Sequence, residues 1–228
     1  MKPLLWLERA ASPPREPDWL SPGERERLAR VRLPARRRDF RRGRWTAKRA
    51  IAHALGGIGQ GDFAALDVRA DARGAPRAFF RGRPLDCELS ISHRSGGVLC
   101  LVGAAGSLPG CDLERCEERS PAFERHFLDD AERDWLGGLA DGARAQAANL
   151  LWSAKESALK ALRIGLDVDT RSVRVHPASD GASLRVDVPG HVGPLRGRWG
   201  ACGGFVWTIA SPRDDWLPPL REIRAPLH

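Results

Sequence analysis

The sequence predicts an α+β fold, and three observations carry that prediction. Short apolar runs punctuated by Gly and Pro, which read as strands, occur in both halves of the chain. Two long helical patterns cover residues 35–55 and 143–164. No run approaches the ~20 apolar residues needed to cross a bilayer, so no membrane association is expected. With 228 residues, 42% hydrophobic and 29% charged, the chain is long enough to bury a core as one domain or two small ones. Residues 2–9, KPLLWLER, hold too short an apolar run for a signal peptide, and a cytoplasmic protein is expected. The cysteines, Cys87, Cys100, Cys111, Cys116 and Cys202, are odd in number and lack C-x-x-C spacing, which indicates neither a disulfide framework nor a zinc site.

The elements follow in order. Residues 1–50 hold 15 Lys+Arg against 6 Asp+Glu, whereas the remainder holds 22 against 23, so all of the excess positive charge is N-terminal. It concentrates in RERLARVRLPARRRDFRRGRWTAKRA, where Pro34 divides two helical segments and Gly56-Gly57 ends the second. A basic helical region of this kind wants an anionic partner, or else is a solvated face. Further on, Glu88–His93 and Val98–Gly103 read as strands joined by a tight turn. LPGCDLE reads as a turn followed by alternation that sends Cys111 and Leu113 one way, Asp112 and Glu114 the other. FLDDAERDWLGGL and ARAQAANLLWSAKESALKALRIG are helical; SVRVHPASDGASLRVDVPG and GGFVWTIAS are strands, and DDWLPPLREIRAPLH is a Pro-rich tail. No short repeat or low-complexity segment stands out.

Lysine usage draws attention to one helix. Among 37 Lys+Arg only Lys2, Lys48, Lys155 and Lys160 are lysines, and two of the four flank Glu156. A lysine in an arginine-rich chain marks a place where a compact, rotatable ammonium is used instead of a planar fork. On this helix Trp152, Glu156 and Lys160 form one stripe, and Leu151, Ala154, Ala158 and Leu162 form the packing stripe. Alone, Glu156 and Lys160 are an i,i+4 surface pair worth a few tenths of a kcal/mol. Combined with Asp112 and Glu114, Glu156 completes a set of three oxygen ligands that suits Mg²⁺, with Lys155 and Lys160 available to phosphate oxygens.

GCDLE, then FLDDAERDWL, then WSAKESALKALRIGL resembles the signature of the 4′-phosphopantetheinyl transferases in their long, monomeric form. SISHRSG resembles that family's Ser-x-Ser-His element and RGAP its Gly-x-Pro turn, while SPGERER and RDFRRGRWTAKRAI match its N-terminal helical region in character and order. The resemblance runs from about Ser21 to Ala210. Cys111 stands where the family usually has a branched aliphatic residue.

The resemblance implies a pseudo-twofold arrangement of two similar α+β subdomains, residues 1–108 and 109–228, with coenzyme A and Mg²⁺ at their interface. It implies transfer of phosphopantetheine from coenzyme A to a serine of an acyl or peptidyl carrier protein. By motif, Asp112, Glu114 and Glu156 would hold Mg²⁺, Glu156 would activate the carrier serine, and Lys160, assisted by Lys155, would meet the pyrophosphate. His93 with Arg27, Arg44 and Arg36 would meet the 3′-phosphate, and Arg73, Gly74 and Pro76 would border the adenine. Two other classes use some of the same residues: a metal-dependent nuclease, and a non-catalytic nucleic-acid-binding module. The KESALK spacing and the element order fit the transferase better, and the basic region offers only Phe40 and Trp45 for stacking on bases. No nucleic-acid partner is therefore expected.

Overall fold

A computed structural model of the chain describes residues 3–165, 167–213 and the backbone of 221–224. It is α+β, as the sequence predicts, and divides into two compact units, Met1–Ser107 with Pro219–His228, and Leu108–Pro218.

In the first unit β1 (Leu4–Glu8) leads to α1 (Pro22–Arg30) and α2 (Pro34–Leu55), followed by β2 (Leu66–Ala70), β3 (Pro76–Phe80), β4 (Arg83–Pro84), β5 (Cys87–Arg94) and β6 (Gly97–Ala104). Both helices open on proline, whose missing N–H costs nothing there. Ser21 and Glu24 form a capping box on α1, and Gly56, at φ +71°, closes α2 as the sequence predicts. Leu4, Trp6, Ala47, Ile51, Val68, Leu89 and Val102 make the core between sheets and helix. Beside it Trp19, Trp45 and Phe63 stack edge to face.

The second unit runs β7 (Gly110–Arg115), α3 (Pro121–Phe127), α4 (Asp130–Gly137), α5 (Asp141–Leu162), β8 (Arg174–Pro177), β9 (Ser183–Asp187), β10 (Leu195–Cys202) and β11 (Phe205–Ser211). Its strands form one sheet in the order β7-β11-β10-β9-β8. The packing stripe of α5 is as expected: Leu151, Ala154 and Ala158 are buried, against Val175, Val186, Leu195 and Val206 among others, with Leu162 half-buried at the margin. Helix α3 and strand β10 are additions to the sequence reading. So is β12 (Arg221–Arg224), which pairs in parallel with β1 from within the Pro-rich tail. Gly197 and Gly200 interrupt the apolar pattern of β10 because Leu184 and the Trp207 ring fill the space of their missing side chains.

The two units repeat one another, residue by residue in places that the sequence reading, which expects two similar subdomains from the resemblance alone, does not register. Each runs strand, capped short helix, 22-residue helix, hairpin, hairpin. Trp45-Thr46-Ala47-Lys48 recurs as Trp152-Ser153-Ala154-Lys155, and Leu20-Ser21-x-x-Glu24-Arg25 as Leu128-Asp129-x-x-Glu132-Arg133. The hairpins β5–β6 and β10–β11 both turn through two residues of positive φ, Ser95-Gly96 and Gly203-Gly204. Two residues beyond each turn pair, Val98 lies opposite Glu8 and Val206 opposite Glu114. Sheet register thus makes Glu8 the internal counterpart of Glu114.

Candidate functional site

In the second unit the site is built where α5 crosses β7. The crossing is close because Gly110 has no side chain: a Cβ there would overlap the Ser157 carbonyl oxygen and lie 2.7 Å from the Ala161 nitrogen. Ser153 and Ser157 further pin α5 to β11 through the Thr208 hydroxyl, at 2.9 and 2.5 Å. With α5 so fixed, the Lys160 ammonium donates to Asp112 at 2.6 Å and stands 3.8 Å from Glu156, one helical turn back. The Trp152 indole N–H donates to Glu114 at 3.1 Å. From the loop after β7, Arg119 donates to the other Glu114 oxygen at 2.7 Å. Asp112, Glu114 and Glu156, with Lys160, are therefore brought together as the alternation of β7 and the stripe of α5 predict.

Burial pushes the Glu156 carboxyl above the usual carboxylate range; Lys160 pulls it down and the charges of Asp112 and Glu114 push it further up. Burial opposes the charge on Lys160, yet its acidic neighbours, Asp112 foremost, outweigh that and hold its pKa above the ordinary lysine value. Three hard oxygen donors facing two protein cations, Lys160 and Arg119, have the chemistry of a divalent-cation site. Among the described residues, no three His, Cys, Asp or Glu side chains already stand as a ready group around one point. The acids are instead engaged by those cations and by the Trp152 indole.

Lys155 does not join them. Its side chain is fully buried, and its ammonium donates to the Phe127 carbonyl (3.0 Å), the Thr170 carbonyl (2.8 Å) and Glu132 (2.6 Å). Three donors meet three acceptors, which leaves none for a phosphate. The expectation of a phosphate contact is corrected to a structural role: residues 155 and 156 are neighbours in sequence but about 100° apart around the helix.

The first unit gathers the predicted anion-binding residues. Arg27, Arg36, Arg44, Gly74, Pro76 and His93 all line one cavity of about 720 Å³. Arg36, Phe40 and Arg44 recur every fourth residue on α2, with the Arg44 guanidinium 4.7 Å over the Phe40 ring and 3.5 Å from Glu24. Burial lowers the Arg44 pKa, and Glu24 counteracts it. Asp39, which the sequence reading passes over, also lines the cavity, 4.0 Å from His93. Arg73 lies outside that lining: it is exposed in the β2–β3 turn, where its backbone N–H donates to Asp71.

The residues from β7 through α5 decide the comparison with known proteins, because residues 109–197 match the sequence model of the 4′-phosphopantetheinyl transferase superfamily. This segment is similar to that superfamily's sequences. It contains Asp112, Glu114, Glu156 and Lys160, and hence the whole of the carboxylate site. The chain is also similar to the 4′-phosphopantetheinyl transferase gsp of Aneurinibacillus migulanus, with 29% identity over 94 residues, 40% of this chain. That stretch spans 39% of the curated relative's length. A holo-[acyl-carrier-protein] synthase from Thermotoga maritima aligns at 17% identity over 46% of this chain and 63% of its own, with a TM-score of 0.38.

Arg119 and Asn149 are the site residues that sequence reasoning misses. Arg119 sits in an irregular loop with no periodicity to mark it, and Asn149 reads only as a polar residue within a helix. No described helix is long and apolar enough to cross a membrane.

Proposed function

We propose that the protein transfers the 4′-phosphopantetheine group of coenzyme A to a serine of an apo acyl or peptidyl carrier protein, releasing adenosine 3′,5′-bisphosphate. The observation that carries the reading is the placement of Lys160 against Asp112 and Glu156 inside the superfamily segment. The reaction needs negative charge balanced on a pyrophosphate and a proton taken from a hydroxyl, and this is the group of residues that does both.

Asp112, Glu114 and Glu156 are the residues that would hold Mg²⁺, and a bound Mg²⁺ would stabilise charge across the pyrophosphate. The Glu156 carboxylate takes the serine proton, directly or through a water. Lys160 carries its charge to the leaving phosphate. In the first unit, Arg27, Arg36, Arg44 and His93 receive the 3′-phosphate of coenzyme A, and Gly74 and Pro76 border the adenine. The protein acts as a cytoplasmic monomer, and the basic N-terminal region speeds encounter with acidic carriers.

Convergence of the basic side chains on a concave cavity, with carboxylates in a superfamily segment, favours this reading over a nuclease or a nucleic-acid-binding module. The test is incubation with coenzyme A, Mg²⁺ and a panel of apo carrier proteins, followed by mass spectrometry. The expected result is a gain of one phosphopantetheine on at least one carrier. An unchanged mass for every carrier overturns the proposal.

A further inference from the structure

Arg119 is held more firmly than a surface arginine needs to be. Its side chain is 10% exposed, its Nε donates to the Asn149 side-chain oxygen at 2.7 Å, and its guanidinium lies 4.5 Å over the Phe123 ring. Asn149 is itself fixed, its amide donating to the carbonyls of Glu117 and Ala145, both at 2.7 Å. The terminal nitrogen of this prealigned fork meets Glu114, whose other oxygen takes the Trp152 indole N–H. Two donors from different directions, each on its own oxygen, define the plane of a carboxylate.

The repeat offers a related but not identical arrangement. Glu8, the register counterpart of Glu114, also meets an indole and a guanidinium, but on one oxygen: Trp6 donates to Oε1 at 2.9 Å and Arg49 to the same oxygen at 2.8 Å, while the Thr46 hydroxyl donates to Oε2 at 3.0 Å. In that unit Trp6 replaces Asp112 by register, and Arg49 and His53 replace Glu156 and Lys160 by helix position. An indole and a guanidinium thus hold the glutamate where the accompanying acids are not, but both come from other elements than in the second unit and both meet one oxygen. What the second unit adds is a guanidinium supplied from the loop, which leaves the helix position open for Glu156.

We propose that Arg119, aligned by Asn149 and Phe123, is a positioning residue that with Trp152 sets the orientation of Glu114 for a divalent cation shared with Asp112 and Glu156. This rests on the functional reading above and deepens it. The proposal makes a prediction of sign, because two effects of Arg119 oppose each other. As a bare positive charge it repels a cation, and its removal would tighten binding. As a positioning group it keeps an acidic ligand in place, and losses of such outer partners typically weaken metal binding about 10–100-fold.

The experiment is a titration with Mn²⁺ alone, followed by electron paramagnetic resonance, on wild type, Arg119→Met and Arg119→Lys. Met keeps the stacking bulk over Phe123, and Lys keeps the charge without the fork. Expected is weakening of about 10-fold or more for Arg119→Met and a smaller but clear weakening for Arg119→Lys. Unchanged or tighter binding in either variant that retains the wild-type circular dichroism overturns the proposal. Should Arg119→Met fail to fold, Arg119→Lys decides alone. Wild type that takes up no Mn²⁺ also overturns it, whereas the transferase reading stands or falls separately on the carrier mass assay. In that assay the variants should need more Mg²⁺ for half-maximal rate, with the rate recovering in part at saturation.

Discussion

Lys48 and Lys155 are the same residue in two copies. Each is the fifteenth residue of a 22-residue helix, each is fully buried, and each ammonium meets two backbone carbonyls and the glutamate of a capping box. Glu24 also accepts the Val68 N–H at 3.0 Å and Glu132 the Val175 N–H at 3.3 Å, so each lysine ties its helix to a helix start and to a strand. The pairing explains why both positions are lysine in an arginine-rich chain: a guanidinium is too wide for a closed cage of three oxygens.

Removing one partner of a buried pair leaves the other uncompensated, which costs about 3–5 kcal/mol. Lys155→Met should therefore lower the free energy of unfolding by that order in a urea titration, and Lys48→Met should do likewise. At a temperature where Lys155→Met is folded, its affinity for coenzyme A should be close to wild type. A folded Lys155→Met with wild-type stability and a large loss of coenzyme A affinity would return the residue to the phosphate site.

Gly110 fixes how closely α5 lies on β7, and with it the approach of Lys160 to Asp112. Gly110→Ala should destabilise the protein by several kcal/mol, because the new methyl meets backbone and not a movable side chain. Gly142→Ala, in α5 with open space around it, is the control and should stabilise by about 0.5–1 kcal/mol. Thermal denaturation of the two variants measures both. A Gly110→Ala protein as stable as wild type would show that the crossing has room to spare.

What was legible in the sequence follows period and punctuation. Pro34 and Gly56 bound α2, and alternation sends Asp112 and Glu114 to one face of β7, because backbone geometry at these points is dictated locally. Gly110 shows where local reading stops: it looks like part of a turn, whereas it begins a strand and serves a contact with α5. The lysine pattern pointed to real sites but merged two kinds. Lys160 faces the acids, while Lys155 belongs to a cage whose other walls lie 15 to 28 residues away in sequence. Two similar subdomains are expected from the resemblance, but their matching residues escape direct reading because the matching words are four to six residues long and separated by more than a hundred. They become visible only when capping box and long helix are compared as units.

Glu156→Gln should nearly abolish transfer while leaving the fold intact, since it removes one charge of the acidic set and the proposed base together. Lys160→Arg should also lose most activity, because a fork does not fit where an ammonium sits 2.6 Å from Asp112. Turnover of each variant at saturating Mg²⁺ is the measurement. Near-normal rates for Glu156→Gln would remove it from the mechanism, and a fully active Lys160→Arg would reduce Lys160 to a bare charge.

Two exposed carboxylates titrate low. The side chain and backbone N–H of Arg171 hold Asp169 at about 2, and the Ser183 hydroxyl with the backbone N–H groups of Ser183 and Ala182 holds Asp180 at about 2. Both values lie below the ordinary 3.8, so what these contacts contribute is complete above that value and is lost as pH falls toward about 2. Solvent screening makes the readout the site titration itself, followed through the carboxyl ¹³C shifts. Midpoints near 3.8 would mean that these loop contacts do not persist in solution.

The cavity of the first unit makes a prediction that separates a small phosphorylated ligand from a merely solvated basic face. If Arg44 and His93 grip the 3′-phosphate of coenzyme A, dephospho-coenzyme A should bind wild type much more weakly, and Arg44→Ala and His93→Ala should narrow the difference. The reason is coupling: a residue that touches only the missing phosphate has little left to lose once that phosphate is absent. Charge-assisted contacts of this kind are worth about 1.5–3 kcal/mol each, or roughly 10- to 150-fold in affinity. Arg44 should show the larger coupling, because it is nearly buried against Phe40 and Glu24, whereas the His93 side chain is 52% exposed and shares Asp39. Calorimetric titration of both ligands into the three proteins gives the full cycle. Equal losses for the two ligands would mean that neither residue addresses the 3′-phosphate, and the excess charge of residues 1–50 would then serve encounter with an acidic partner alone.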